Sequence, residues 1–162
     1  MSIPSFSLEG KVAIVTGGRR GIGKAIALAF AEAGADVAVC DLVVEDGELE
    51  AVAEEIRRLG RRSLAVQADI TRKTDVDNLV KGVAEGLGAI DILVNNAAII
   101  SWVPLLETPE DDWDRIIDTD LKGYYLCSQA VGKGMVERKK GNIISIASVS
   151  GIRGGGCPKE CL

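Results

Sequence analysis

Short runs of aliphatic residues alternate along the chain with amphipathic segments that repeat at helical spacing. The aliphatic runs predict five buried strands, which are Lys11–Thr16, Asp36–Asp41, Ser63–Ala68, Ile90–Asn95 and Asn142–Ala147. Three amphipathic segments each stop one residue before a glycine, a common end for a helix. They predict helices at Gly21–Ala33, Glu45–Leu59 and Arg72–Leu87. This alternation predicts a parallel sheet covered by helices on both faces.

A fourth and longer helix is predicted before the last strand. Thr108 can cap it, Pro109 suits its first position, and Asp111 is an acidic partner three residues after the cap. The helical pattern continues to about Lys139. The chain shows neither an internal repeat nor a linker, so a single domain is predicted for residues 1–162.

Composition narrows the class of protein. The 162 residues are 47% hydrophobic and 27% charged, which is typical of a globular domain and excludes a disordered chain. The net charge of −5 argues against a nucleic-acid partner, because phosphate-binding surfaces are basic. Histidine is absent, which excludes His-dependent triads and His-ligated metal sites. No apolar run reaches the ~20 residues of a membrane helix, and Met1–Gly10 lacks a secretory pattern, so no membrane partner and a cytoplasmic location are expected.

The turn between the first strand and the first helix is rich in glycine. It reads Thr16-Gly17-Gly18-Arg19-Arg20-Gly21-Ile22-Gly23. Such a turn lets the backbone approach a pyrophosphate, and the helix that follows offers free N–H groups. Asp41 ends the second strand about 20 residues later, where a carboxylate can meet the ribose hydroxyls of NAD. An ordinary strand-to-helix turn is the alternative interpretation.

The same turn also matches seven of the eight positions of a phosphate-binding loop of nucleoside triphosphatases, from Gly18 to Lys24. The eighth position requires Ser or Thr for Mg²⁺, and Ala25 stands there. We therefore disfavour a nucleoside triphosphatase.

Four motifs together resemble the short-chain dehydrogenases/reductases over about residues 8–154. The glycine turn is similar to the cofactor motif of that family, and Asp69-Ile70-Thr71 is similar to its adenine-side motif. Asn95-Asn96-Ala97-Ala98 resembles Asn-Asn-Ala-Gly, with Ala98 in place of the usual glycine. Ile143–Gly151 resembles the fifth strand and its catalytic-serine turn. The implied fold class is α/β, a Rossmann-type doubly wound parallel sheet that is C-terminally truncated, with about five strands and four helices.

The resemblance implies an oxidoreductase that moves hydride between NAD(P) and a small-molecule alcohol or carbonyl. Its cofactor-binding residues would be Gly17, Arg19, Arg20, Gly21, Ile22, Gly23, Asp41, Asp69, Ile70, Asn95 and Ala97. Within that set, Gly17, Gly21 and Gly23 would hold the diphosphate. Asp41 would hold the adenosine ribose, and Asp69 and Ile70 would flank the adenine. Asn95 would line the cofactor cleft and brace the sheet.

Ser148 matches the serine that hydrogen-bonds the substrate oxygen, although it could instead only satisfy a turn. Asp120 stands where the family often has Asn in the long fourth helix, and we keep it as a candidate catalytic residue. The family's general base lies in a Tyr-x-x-x-Lys motif, which these 162 residues lack. Tyr124 and Tyr125 are followed four residues on by Ser128 and Gln129, and we interpret both as packing or subunit-contact residues.

The choice between NAD and NADP depends on opposing charges. Asp41 favours NAD, because a carboxylate repels the 2′-phosphate of NADP. Arg19 and Arg20 could pair with that phosphate, or they could be solvated surface charges. We predict NAD, with NADP as the alternative.

The last residues leave several questions open. Residues 152–162 are predicted to be an irregular and aberrant tail, and Cys157 and Cys161 within it cannot complete a zinc site alone. The fifth strand is predicted to be an exposed sheet edge, and a homo-oligomer remains open with an incomplete interface. The oxidoreductase is predicted to be inactive as the chain stands. The alternatives are a non-catalytic dinucleotide-binding module or partner subunit, and a folding-defective fragment. The substrate itself is not predicted; Trp102 and Val103 either border its pocket or pack a loop.

Overall fold

The chain folds around one parallel β-sheet. A computed structural model describes residues 6–152, so residues 153–162 of the predicted tail, with Cys157 and Cys161, lie outside the described part. The strands are β1 Val12–Thr16, β2 Asp36–Asp41, β3 Ser63–Gln67, β4 Ile92–Asn95 and β5 Asn142–Ser145. Their order is β3-β2-β1-β4-β5, and Ile14 in the central strand aligns with Ala38 on one side and Leu93 on the other.

Helices connect the strands as the sequence predicted. They are α1 Gly21–Glu32, α2 Glu48–Arg58, α3 Lys73–Gly86, α4 Glu110–Ile117 and α5 Tyr124–Glu137. A π-helical turn over Asp118–Gly123 joins α4 to α5, so residues 110–137 form the single long helix that the sequence predicted. The doubly wound fold with five strands and four helical segments is thereby confirmed.

Successive residues of the central strand face opposite layers of the core. Ile14 belongs to a cluster covered by α3 and α5, which also holds Leu79 and Cys127. Val15 belongs to a cluster on the other face, covered by α1 and α2. Cys40 and Cys127 are free and buried, as their apolar neighbours in the sequence predicted.

The topology places a crevice above the middle of the sheet. The connections after β1 and β2 lead outward to one side, whereas the connection after β3 crosses back to β4 on the other side of β1. In open parallel sheets a ligand crevice forms at this switch point, beyond the carboxyl ends of the strands.

Two helix starts differ from the prediction. Thr108 does not cap α4; its hydroxyl donates to the carbonyl of Pro104 at 3.0 Å, and α4 begins at Glu110 after Pro109 without a side-chain cap. Helix α2 begins at Glu48 rather than Glu45, because Gly47 adopts a left-handed conformation with φ +74° that closes a turn first.

The strand β5 lies at the edge of the sheet formed by residues 6–152, as the sequence predicted. Its Ile143 and Ile144 side chains are 40% and 38% exposed.

Candidate nucleotide-binding site

A cavity of about 380 Å³ lies at the carboxyl ends of the strands, next to the switch point. Its walls come from the glycine turn after β1, the end of β2, the segment after β3 and the segment after β4. One further residue comes from the π-helical turn. The lining residues are Gly17, Arg19, Arg20, Cys40, Asp41, Leu42, Val43, Ala68, Asp69, Ile70, Thr71, Asn96, Ala97, Ala98, Ile99 and Thr119. Seven of the predicted cofactor-binding positions are therefore brought together here.

The glycine turn passes so close to the segment after β4 that side chains are excluded. A Cβ atom on Gly17 would lie 2.8 Å from Cα of Ala97, and one on Gly23 would lie 2.6 Å from Nδ2 of Asn96. Gly17 also has φ +64°, which side chains rarely adopt. The turn thus presents bare backbone at the cavity, and the first turn of α1 follows at once with Gly21, Ile22 and Gly23.

A buried hydroxyl ties the two walls together. Thr16 is fully buried, and its Oγ1 accepts hydrogen bonds from the backbone N–H groups of Asn96 at 3.0 Å and Ala97 at 3.1 Å. The same hydroxyl donates to the carbonyl of Val94 at 3.3 Å. Nδ2 of Asn96 donates back to the carbonyls of Thr16 and Gly17 at 3.0 and 3.2 Å. The cavity therefore has a fixed floor on this side.

Asn95 differs from its predicted position. Its side chain is fully buried beneath the cavity, where Nδ2 donates to the hydroxyl of Ser128 at 3.0 Å and contacts that of Ser145 at 3.5 Å. Asn95 thus braces β4 against α5 and β5, but it does not line the cleft. The lining residue is its neighbour Asn96, because successive side chains of an extended chain point to opposite sides.

The two arginines of the turn lie in different environments. The Arg19 side chain is only 12% exposed, and its guanidinium contacts Asp41, Asp46 and Glu48. The interpretation of Arg19 as a solvated surface charge is therefore wrong. Arg20 is exposed at the cavity and immediately precedes α1.

The Asp41 carboxylate is oriented by its own chain. Oδ1 accepts the backbone N–H of Val43 at 3.1 Å and lies 3.7 Å from Nε of Arg19. Within residues 6–152, the other oxygen, Oδ2, has no hydrogen-bond donor and remains able to accept.

The segment after β3 is held in the same way. Oδ1 of Asp69 accepts from the backbone N–H of Thr71 at 2.9 Å and from its hydroxyl at 2.7 Å. Ile70 packs against the π-helical turn, where a Cβ on Gly123 would come within 2.6 Å of the Ile70 side chain. Gly123 thus allows the long helix to approach this wall closely.

The π-helical turn orients two neighbouring residues differently. Thr119 lines the cavity, a contribution that the sequence analysis missed. Asp120 does not line it; its Oδ1 accepts the backbone N–H of Ile99 at 3.0 Å, so this carboxylate anchors the segment after β4. A π-helical turn has no sequence signal that would have revealed this division of roles.

The two tyrosines of the long helix lie in different environments. Burial raises the pKa of Tyr124, and the negative charge of Asp120 raises it further. Its hydroxyl donates to the carbonyl of Ile146 at 3.5 Å. Tyr125 is exposed and accepts a hydrogen bond from Gln129 at 2.7 Å.

Ser148 lies after β5 and outside the cavity lining. Its side chain is exposed, and Oγ accepts the backbone N–H of Ser150 at 3.2 Å, capping a short 3₁₀ turn over Val149–Gly151. Trp102 and Val103 are also exposed and outside the lining.

Residues 6–152 offer neither a membrane-spanning helix nor a cluster of metal ligands. None of the helices found there is long and apolar enough to cross a membrane. In the same part of the chain, no group of three or more Cys, Asp or Glu side chains is arranged to hold a metal ion.

The fold and the glycine turn at its switch point define a Rossmann-type α/β protein. Comparison with protein families narrows this class: the model described as "short chain dehydrogenase" matches residues 11–157. The chain belongs to this family, whose members use NAD(P) and act on small molecules.

Relatives support the same conclusion. The chain is 43% identical to a 2-dehydro-3-deoxy-D-gluconate 5-dehydrogenase of Pseudoalteromonas atlantica over 155 residues, covering 94% of this chain and 60% of that protein. It is 43% identical to a 3-oxoacyl-[acyl-carrier-protein] reductase of Synechocystis, covering 91% of this chain and 60% of that protein. A short-chain type dehydrogenase/reductase structure from Mycobacterium marinum superposes with TM-score 0.88 at 40% identity, covering 94% and 61% of the two chains. The chain thus spans about 60% of the length of these relatives.

Proposed function

We propose that the protein is an NAD(P)-dependent oxidoreductase that binds its dinucleotide in the cavity above β1. The substrate class is a small-molecule alcohol or carbonyl compound. The observation that carries the proposal is the close approach of the glycine turn to the segment after β4, where Cβ atoms on Gly17 and Gly23 would not fit. Backbone exposed in this way at a helix N-terminus suits a diphosphate.

The cavity walls suit a dinucleotide part by part. Residues 17–23 would hold the diphosphate, and the Asp41 carboxylate would accept from the adenosine ribose hydroxyls. Asp69 and Ile70 would border the adenine, and Asn96 with Ala97 would form the floor. A bound NAD(P) supplies the hydride acceptor or donor of the reaction.

NAD is the proposed preference over NADP. Oδ2 of Asp41 is available within the described residues to accept a ribose hydroxyl, whereas a phosphate there would meet a negative charge. Arg19, a cation that could offset this repulsion, already contacts three carboxylates.

Ser148 is proposed to hydrogen-bond the substrate oxygen. Because its Oγ already accepts the N–H of Ser150, the hydroxyl proton remains available for donation. The capping contact and the proposed contact with the substrate oxygen can therefore be made by the same hydroxyl.

Proton transfer is not assigned within these 162 residues, because they lack the Tyr-x-x-x-Lys motif of the family's general base, and Tyr124 has a raised pKa and donates its hydroxyl proton to a carbonyl. General base catalysis contributes ~10²–10⁴-fold. A polypeptide of these 162 residues alone is therefore expected to bind dinucleotide with little or no turnover. Turnover comparable to that of a complete family enzyme would contradict this part of the proposal.

Calorimetric titration with NAD⁺ and NADP⁺ tests the proposal. We expect one saturable site, with NAD⁺ bound more tightly. Asp41→Ala should weaken NAD⁺ relative to NADP⁺, whereas Asp77→Ala, which removes an exposed carboxylate paired with Lys73 on α3, should change neither. Unchanged relative affinity in Asp41→Ala would contradict the ribose assignment, and absence of binding in the parent protein would contradict the function.

A further inference from the structure

Arg19 reaches the cavity, but the acidic partners that hold it come mostly from outside. Its Nη1 contacts Oδ2 of Asp46 and lies 2.9 Å from Oε2 of Glu48. Neither Asp46 nor Glu48 lines the cavity, whereas Arg19 and Asp41 do. The two outer carboxylates therefore contact the cavity lining through the arginine.

The position of the two carboxylates is fixed by the start of α2. Oδ1 of Asp46 accepts the backbone N–H of Glu48 at 3.0 Å, which leaves Oδ2 for Arg19. Glu48 is the first residue of α2 and points its carboxylate to the same nitrogen. The loop between β2 and α2 is thus folded so that both carboxylates meet one nitrogen of Arg19.

The charges around the guanidinium are unbalanced. Asp41, Asp46 and Glu48 supply three negative charges against the one positive charge of Arg19. Nε of Arg19 is buried and has no hydrogen-bond partner among the described residues. Turning the guanidinium so that its planar fork meets a phosphate would break the two hydrogen bonds at Nη1, and its Nε edge already faces Asp41 at 3.7 Å.

We propose that Asp46 and Glu48 are positioning residues that set the dinucleotide preference of the site. By holding Arg19 through Nη1, they keep its guanidinium from pairing with a phosphate on the adenosine ribose, so the unphosphorylated dinucleotide is preferred. This inference rests on the proposed dinucleotide site and adds two residues to its specificity. Asp41 repels the phosphate directly. Asp46 and Glu48 hold Arg19, the cation that would otherwise offset this repulsion.

A thermodynamic cycle separates this effect from a general change of charge. Asp46→Asn/Glu48→Gln keeps side-chain size and the acceptor of the Asp46 turn while it removes both charges. Glu50→Gln/Glu54→Gln is the matched control, because it removes two charges from α2 where they pair with Arg57 and Arg58 rather than with Arg19. Both double variants are also combined with Arg19→Met. Asp46→Asn/Glu48→Gln is in addition combined with Arg20→Met. The single Glu48→Gln variant provides a milder change at a half-exposed position.

The dissociation constants of NAD⁺ and NADP⁺ are measured by calorimetry on the full protein, after unfolding midpoints show that each variant is folded. We expect Asp46→Asn/Glu48→Gln to tighten NADP⁺ by about tenfold and to change NAD⁺ by less than about threefold. Glu48→Gln alone should give part of this gain. The gain should vanish with Arg19→Met and persist with Arg20→Met.

Three outcomes would overturn the inference. The first is an unchanged affinity for NADP⁺ in Asp46→Asn/Glu48→Gln. The second is an equal increase of that affinity in Glu50→Gln/Glu54→Gln. The third is an increase that is still seen when Arg19→Met is added. In each case the parent protein still binds NAD⁺, and the proposed function stands. If the parent binds neither dinucleotide, the proposed function fails and this inference fails with it.

Discussion

Replacing Thr16 with valine tests how the cavity is held together. The exchange keeps the shape of a fully buried side chain and removes its hydroxyl. The backbone N–H groups of Asn96 and Ala97 then lose their shared acceptor, and the carbonyl of Val94 loses a donor. Thr16→Val should therefore both destabilise the fold and loosen the wall that faces the glycine turn.

The expected magnitude follows from these contacts. A buried donor without a hydrogen-bond partner costs about 1–3 kcal/mol. The two N–H groups of Asn96 and Ala97 would therefore lower the free energy of unfolding by about 2–6 kcal/mol if both were fully buried. Asn96 and Ala97 are only half-buried, and water can restore part of this loss. We expect the free energy of unfolding to fall by about 2–3 kcal/mol. For a domain of this size, that corresponds to roughly 4–12 °C in Tm.

Urea unfolding followed by circular dichroism measures the loss directly. Thr16→Ser retains the hydroxyl and should recover most of the stability. Thr74→Val, at an exposed position, should change the unfolding free energy by less than about 0.5 kcal/mol. A Thr16→Val variant within about 0.5 kcal/mol of the parent would show that the hydroxyl does not hold the two walls together.

Three further perturbations test other parts of the structure. Leu79→Ala empties a position that is 1% exposed, so urea unfolding should show a loss of about 2–5 kcal/mol, and a loss below 1 kcal/mol would contradict the assigned core. Burial raises the pKa of Asp36, but hydrogen bonds from Arg62 and the charges of Arg62 and Arg61 outweigh it and lower the pKa below its ordinary value of 3.8. The lowered pKa therefore stabilises the fold above about pH 4, and this stabilisation is lost as the pH falls further. The unfolding free energy of Asp36→Asn should fall less steeply with decreasing pH than that of the parent protein, and equal slopes would refute this. Asp120→Ala should weaken NAD⁺ binding in calorimetry because Ile99 loses its anchor, while Asp120→Asn, which keeps an acceptor oxygen, should bind like the parent.

The strands could be predicted from the sequence because aliphatic runs bounded by glycines and charged residues have few other interpretations. Their bounds shifted by one or two residues, as at Ile146 and Ala147, which follow the end of β5. The sequence also predicted the extent of the long helix over residues 110–137. The predicted cap was wrong because the Thr108 hydroxyl donates to the nearby carbonyl of Pro104. The π-helical turn was not predicted, and its close approach to Ile70 is a tertiary contact that the sequence does not show.

Seven of the cofactor-binding residues that the sequence predicts line one cavity, and the differences concern side-chain direction and partners. Asn95 and Asn96 are adjacent amides that the motif does not distinguish; only the pleat of β4 decides which one faces the cavity. Arg19 lies 27 residues from Asp46 in the sequence, so its ion pairs depend on how the loop before α2 folds. Such long-range pairings are set by tertiary structure.

The central claim is that a dinucleotide binds at the carboxyl edge of the sheet. A titration of NAD⁺ into isotopically labelled protein, followed by amide NMR signals, tests it residue by residue. We expect saturable shifts in the glycine turn at 17–23, at Asp41–Val43, at Asp69–Thr71 and at Asn96–Ile99. Amides at the opposite edge, such as Asp36 and Arg62, should not move. Absence of shifts, or shifts centred on that opposite edge, would contradict the account.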